Sequence, residues 1–298
     1  MFKGSYVALV TPFKNGKLDE KKLQSLVNWQ IEEGTDGIVP MGTTGESATV
    51  SRREHARIIE LTLKAAKGRV PVIAGSGTNS TADTISLARE AKSQGANGVL
   101  LINPYYNRPT QEGLKAHFSA VAEAVDIPMI LYNIPSRTGV NMLPSTVAAL
   151  AKGHRNIVGI KEATASMDQA SEILELLGTR FCLLSGEDTQ TLPLMALGAQ
   201  GVISVAANLV PRDIKKLCEL ALDHQFQRAR ELHWKLYPLI RCLFLETNPG
   251  PVKTAMYEAG LLGDESLRLP MVTVSNDTRQ KIRSALKAYG IRVRSSRP

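Results

Sequence analysis

The sequence predicts an α/β fold: a (β/α)8 TIM barrel with a small C-terminal helical domain. Three observations carry that expectation. Short β-branched, apolar runs alternate with amphipathic stretches of three or four turns from residue 5 to about residue 225. Each run is near-continuously apolar, as a strand covered on both faces must be. Three helical stretches also close in the same way, at Gly34-Thr35-Asp36-Gly37, Gly95-Ala96-Asn97-Gly98 and Gly198-Ala199-Gln200-Gly201. In each, the first Gly suits a left-handed helix cap and the second opens the next strand.

In chain order, the strand runs are Tyr6–Thr11, Gly37–Pro40, Val70–Ala74, Gly98–Ile102, Pro128–Tyr132, Ile157–Lys161, Phe181–Ser185 and Gly201–Ser204. Eight strands alternating with helices is the barrel count, with an open doubly wound sheet as the alternative. Ser51-Arg52-Arg53-Glu54 and Ser80-Thr81-Ala82-Asp83 have the form of capping boxes. After Asp223 the strand signal stops. Gln225–Phe244, Pro251–Ala259 and Thr278–Tyr289 read as helices, punctuated by Asn248-Pro249-Gly250-Pro251 and Leu269-Pro270. The expected division is a catalytic barrel over 1–224 and a helical domain with a basic tail over 225–298.

Composition narrows the function. The net charge is +8, but Thr278–Pro298 hold seven Lys or Arg and no acid, so the first 277 residues are nearly neutral. That pattern reads as a solvated helix face with a frayed end; a nucleic-acid arm is the alternative. Cys182, Cys218 and Cys242 form no Cys-x-x-Cys pair, which suits buried thiols in a reduced, cytoplasmic protein. No signal peptide or membrane-spanning run is visible.

Function in a barrel sits where strands end. Lys161 closes Ile157–Lys161, where desolvation lowers an amine's pKa and opens Schiff-base chemistry; the alternative is a lysine that snorkels or pairs with a carboxylate. Tyr132 closes the preceding strand and could move protons, or simply cap it. Arg137 offers a fork for a carboxylate, or lies on the surface. Gly42-Thr43-Thr44-Gly45-Glu46-Ser47 supplies hydroxyls and N–H groups for a small carboxylate, or is only a turn. Gly75-Ser76-Gly77-Thr78-Asn79-Ser80 lacks the third Gly of a dinucleotide fingerprint. Tyr105 and Tyr106 stand in a Pro-bounded loop, where one could reach a neighbouring site or make an interface contact without chemistry. His55, His117, His154, His224 and His233 lack metal-ligand spacing, so no metal is expected. Glu162, Glu187 and Asp188 read as loop or ion-pair residues.

Gly42–Glu46, Pro104-Tyr105-Tyr106-Asn107, Tyr132–Gly139 and Gly159-Ile160-Lys161-Glu162-Ala163-Thr164 occur in that order. Together they resemble the dihydrodipicolinate synthase family, within the N-acetylneuraminate lyase superfamily, from about Gly4 to about Tyr289. The resemblance implies a lyase of diaminopimelate and lysine biosynthesis that condenses pyruvate with L-aspartate 4-semialdehyde without a cofactor. It implies that Lys161 forms the Schiff base and Tyr132 is the acid/base. Thr43 and Tyr106 would relay protons, Tyr106 entering a neighbouring subunit of a homotetramer, a dimer of dimers. Thr44, Gly186 and Ile203 would bind pyruvate, and Arg137 the semialdehyde carboxylate. An allosteric L-lysine site would involve Ser47, Ala48, Arg52, His55, Asn79, Asp83 and Tyr105. There Arg52 stands for a histidine and Asp83 for a glutamate, changes that weaken binding of a cation. A sugar aldolase of the superfamily is the rival within the class. A catalytically inactive barrel binding nucleic acid through its tail is the rival outside it.

Overall fold

Residues 2–294 are described by a computed structural model. Eight parallel strands build its centre: β1 (Gly4–Ala8), β2 (Gly37–Val39), β3 (Ile73–Gly75), β4 (Gly98–Ile102), β5 (Met129–Asn133), β6 (Ile157–Glu162), β7 (Cys182–Ser185) and β8 (Gly201–Ser204). The ladder runs β2-β1-β8-β7-β6-β5-β4-β3. A parallel bridge between Ile38 and Val72, with Ile38 N–H donating to the Pro71 carbonyl at 3.0 Å, joins the two ends. The sheet is therefore a closed barrel and not the open alternative.

The helices α1 (Glu20–Glu32), α2 (Arg52–Ala66), α3 (Thr81–Ser93), α4 (Gln111–Ala124), α5 (Pro144–Gly153), α6 (Met167–Leu177), α7 (Thr191–Ala196) and α8 (Pro211–Leu222) follow the strands in turn. Then come α9 (Phe226–Cys242), α10 (Gly250–Glu258) and α11 (Asn276–Tyr289). The repeated turn is real: Gly34, Gly95 and Gly198 all have positive φ, at 89°, 94° and 112°. Only a residue without Cβ takes that conformation at no steric cost.

Strand alternation sorts the core into two layers. Tyr6, Ala8, Val39, Ile73, Leu100, Ile130, Tyr132, Cys182, Leu184 and Ile203 fill the barrel, while the opposite strand faces pack against the helices. Apolar contact on both faces explains why each strand reads as an unbroken apolar run.

The structure adds a hairpin and corrects two expectations. Phe13–Lys14 and Lys17–Leu18 form an antiparallel hairpin across Asn15 and Gly16, both at positive φ. Asn-Gly is the residue pair such a turn requires. Ser51 forms a full capping box with Glu54, whereas Ser80 makes only half of one, its hydroxyl accepting from Asp83 N–H at 3.3 Å. An aspartate is too short to reach back as glutamate does. Nor is the basic helix simply solvated. Arg279 pairs with Glu258 (2.8 Å) and Glu265, and Arg283 with Glu258, fastening α11 to α10. Arg297 lies outside the described residues.

Candidate active site

The site is built at the carboxyl ends of the strands. Parallel register places Lys161 on β6 beside Tyr132 on β5 and Leu184 on β7. The lysine Nζ stands 4.3 Å from the centre of the Tyr132 ring. Gly186 leaves room for this arrangement: a Cβ there would lie 2.7 Å from Ala163 Cβ and 3.1 Å from Lys161 Cε.

Electrostatics follows from burial. Lys161 is 6% exposed, and desolvation lowers its pKa from the usual 10.5 to about 8 despite the opposing pull of Asp188 and Glu187. Burial raises Tyr132 to about 12; Arg137 and a hydrogen bond with the Thr43 hydroxyl restrain that rise. An amine that gives up its proton far more readily than an exposed lysine therefore lies beside a phenol that keeps its own, with a hydroxyl in contact for passing protons on.

The loop after β2 is held from the helical region. Thr43–Gly45 make one tight turn, and Glu46 leaves it in the left-handed conformation. Buried Lys253 of α10 donates to Glu46 Oε1 at 2.8 Å and to the Thr11 carbonyl at 3.0 Å. Arg268 N–H donates to Glu46 Oε2 at 2.9 Å. The loop carrying both threonines thus has fixed partners on the barrel and beyond it.

Thr43, Thr44, Tyr132, Arg137, Lys161, Gly186 and Ile203 line one cavity, joined there by Glu187 and Asn248. Asn248 was legible only as part of a turn. Its amide meets Thr44 and its carbonyl meets Arg137. The expectation that Glu162, Glu187 and Asp188 are loop or ion-pair residues holds only in part: Glu187 and Asp188 lie in the turn after β7, whereas Glu162 belongs to β6. Among the described residues none of the three is in an ion pair. Glu162 ends β6, where it accepts from Asn133 (3.2 Å), Thr164 N–H (2.7 Å) and Gln169 (3.0 Å). Buried Asp188 accepts from Ser204 Oγ and from the N–H groups of Val205 (2.9 Å) and Ala206 (3.2 Å). Glu187 lines the lysine cavity itself.

Other residues lie elsewhere. Tyr106 is 90% exposed at a φ of 73°, outside the cavity. Ser47, Ala48, His55 and Tyr105 line an adjoining cavity of about 300 Å³, with Thr43 and Arg137 on the wall between. Arg52, Asn79 and Asp83 are not among its lining residues. Among the described residues no group of three or more His, Cys, Asp or Glu is placed to hold a metal ion.

The model of the dihydrodipicolinate synthetase family matches residues 1–289. The chain belongs to that family. A 4-hydroxy-tetrahydrodipicolinate synthase from Pelobacter propionicus is 53% identical over 98% of this chain and 100% of its own length. The crystal structure of dihydrodipicolinate synthase from Aquifex aeolicus superposes with a TM-score of 0.97 at 49% identity, covering 99% of this chain and all of its own. The chloride-inhibited dihydrodipicolinate synthase of Acinetobacter baumannii, complexed with pyruvate, superposes at 0.95 with 45% identity over 98% of this chain and all of its own. Membership in the dihydrodipicolinate synthetase family spans the barrel and the helices after it, so the lysine cavity and its supports fall inside the match.

Proposed function

We propose that the chain condenses pyruvate with L-aspartate 4-semialdehyde to 4-hydroxy-tetrahydrodipicolinate, in diaminopimelate and lysine biosynthesis, through a Schiff base on Lys161. The observation that carries this reading is a buried lysine with a pKa near 8 beside Tyr132, at the mouth of a family barrel. The neutral amine adds to the pyruvate ketone and water leaves. The resulting iminium draws electrons from the methyl carbon, which loses a proton to give an enamine. Tyr132, in contact with Thr43, moves these protons. The enamine carbon attacks the aldehyde, and the adduct's own amine then displaces Lys161 and closes the ring.

In this reading Thr44, Gly186 and the backbone near Ile203 hold the pyruvate carboxylate, and Arg137 takes the carboxylate of the semialdehyde. Tyr106, too exposed to serve its own cavity, completes the relay of a second copy in a homotetramer. No helix among the described residues is long and apolar enough to cross a membrane; residence in the cytoplasm belongs to the proposal.

Arg137 also favours the synthase over a sugar aldolase, because a guanidinium suits a carboxylate better than a polyol. The nucleic-acid reading loses support because Arg279 and Arg283 are engaged by Glu258. Borohydride reduction with pyruvate, followed by peptide mass analysis, should place the adduct on Lys161. Label on another peptide, or better turnover with N-acetylmannosamine than with the semialdehyde, would sink the proposal.

A further inference from the structure

The lysine cavity contains one ionisable side chain that the scheme above leaves unused. Glu187 follows Gly186 at the end of β7 and lines the cavity with Lys161, Tyr132 and Arg137. It is half-buried, and its hydrogen-bond partners are the N–H and hydroxyl of Thr189, the latter at 3.5 Å. Its neighbour Asp188 has a different fate. Three donors from β8 and the turn after it occupy both Asp188 oxygens, so that carboxylate is spent on holding β7 to β8.

The cavity therefore presents two groups of opposite sign around the amine. Arg137 supplies a fork for a carboxylate, and Glu187 supplies acceptor oxygens with no cation of their own. That pairing complements an α-amino acid, which carries both charges on one carbon. A simple aldehyde acid would need only the arginine. Burial and the charge of Asp188 hold the Glu187 carboxyl above the usual range, so it is a better proton acceptor than an exposed glutamate.

We propose that Glu187 binds the α-ammonium of the acceptor aldehyde and takes its proton when the product nitrogen displaces Lys161. The inference rests on the Schiff-base reading and adds a residue to it. An ammonium cannot attack, because its nitrogen has no free electron pair. One N–H bond breaks and the proton passes to the Glu187 carboxylate. The freed pair forms a bond to the iminium carbon, giving a carbon that bears two nitrogens. A proton moves from the new nitrogen to that of Lys161. The Lys161 C–N bond then breaks, lysine leaves as a neutral amine, and a cyclic iminium remains. Nothing is oxidised or reduced.

Glu187→Gln and Glu187→Asp would be compared with the parent enzyme using L-aspartate 4-semialdehyde and 4-oxobutanoate, which lacks the amino group. Borohydride trapping and peptide mass report pyruvate on Lys161 and the longer condensed adduct. Glu187→Gln should still trap pyruvate and should form the 4-oxobutanoate adduct at about the parent rate. Its kcat/KM for the amino-aldehyde should fall by roughly 10²-fold or more, the scale of a lost proton acceptor. The condensed adduct should accumulate on Lys161, and Glu187→Asp should recover part of the loss. Equal slowing with both aldehydes, or no slowing with either, would overturn the inference. Failure of the parent enzyme to trap pyruvate would instead remove the Schiff-base reading and this inference with it.

Discussion

Asn248 Nδ2 donates to Thr44 Oγ1 at 3.0 Å, across 204 residues of chain, while its carbonyl accepts from Arg137 Nη2 at 3.1 Å. One residue from the segment before α10 thus touches the proposed anchors of both substrates. Asn248→Ala removes the amide and leaves the Thr44 hydroxyl without that partner. The expected loss is about 1–3 kcal/mol of transition-state stabilisation, roughly ten- to hundredfold in kcat/KM. Steady-state kinetics with each substrate varied in turn would measure it, with circular dichroism to check the fold. An effect within twofold would show that Thr44 holds its place without the Asn248 amide.

The lowered pKa of Lys161 gives a sign for the pH dependence. Only the neutral amine attacks, so pyruvate imine formation should rise about tenfold per pH unit below 8 and level off above about 8. Asp188 and Glu187 both favour the ammonium, so Asp188→Asn should move the midpoint lower. Pre-steady-state imine formation across pH 6 to 10 is the measurement. A rise continuing to pH 10 would mean that the amine is solvated and not poised.

Lys253 and Glu46 form an ion pair with side chains 0% and 3% exposed. Lys253→Met leaves the Glu46 charge buried with one partner fewer, at a cost of about 3–5 kcal/mol in stability. Adding Glu46→Gln should recover part of that, because the stranded charge is gone. Urea unfolding of the single and double variants decides it. Additive losses would show that the two side chains do not act as a pair.

What could be read from sequence, and what could not, follows from the range of the interactions. Strands buried on both faces and glycines at positive φ are local signals, so the βα repeat and the turns at Gly34, Gly95 and Gly198 were legible. Lys161 and Tyr132 were legible because each ends such a strand. The hairpin at Asn15-Gly16 was also local, but its strands of two residues are too short to show alternation. Asn248, Lys253 and Glu187 carried no local mark. Asn248 and Lys253 owe their importance to partners more than 200 residues away, and Glu187 to the turn after β7 that brings it into the cavity of Lys161. Asp188 lies in a turn, as read, but its structural role was hidden for the same reason, since its donors lie on the next strand and turn.

Tyr106 gives a test of assembly. Tyr106 is 90% exposed in a loop at positive φ and is not among the residues that line its own cavity. Tyr106→Phe should lower kcat and leave thermal stability within about 0.5 kcal/mol, as for a surface change. Sedimentation of the parent protein should show a tetramer. A fully active monomer would dismiss the shared relay.

L-Lysine should inhibit this enzyme weakly or not at all, for a reason partly different from simple repulsion by Arg52. The guanidinium is turned onto α3, with Nε 3.3 Å from Glu90 and Nη2 2.6 Å from Ser86. It therefore neither lines nor fills the cavity beside Ser47, Ala48, His55 and Tyr105. What that cavity lacks is a free anion. Glu46 is the one carboxylate among its lining residues, and Lys253 and the Arg268 N–H already occupy its oxygens. Asp83 is exposed and outside the lining. A ligand with two ammonium groups would shed water there without gaining a carboxylate partner, and desolvating a cation without a counter-charge is costly. Initial rates with added L-lysine test this at saturating and limiting pyruvate. Strong, cooperative inhibition at low lysine concentration would mean that assembly brings in acceptors the single chain does not supply, and the prediction would be wrong.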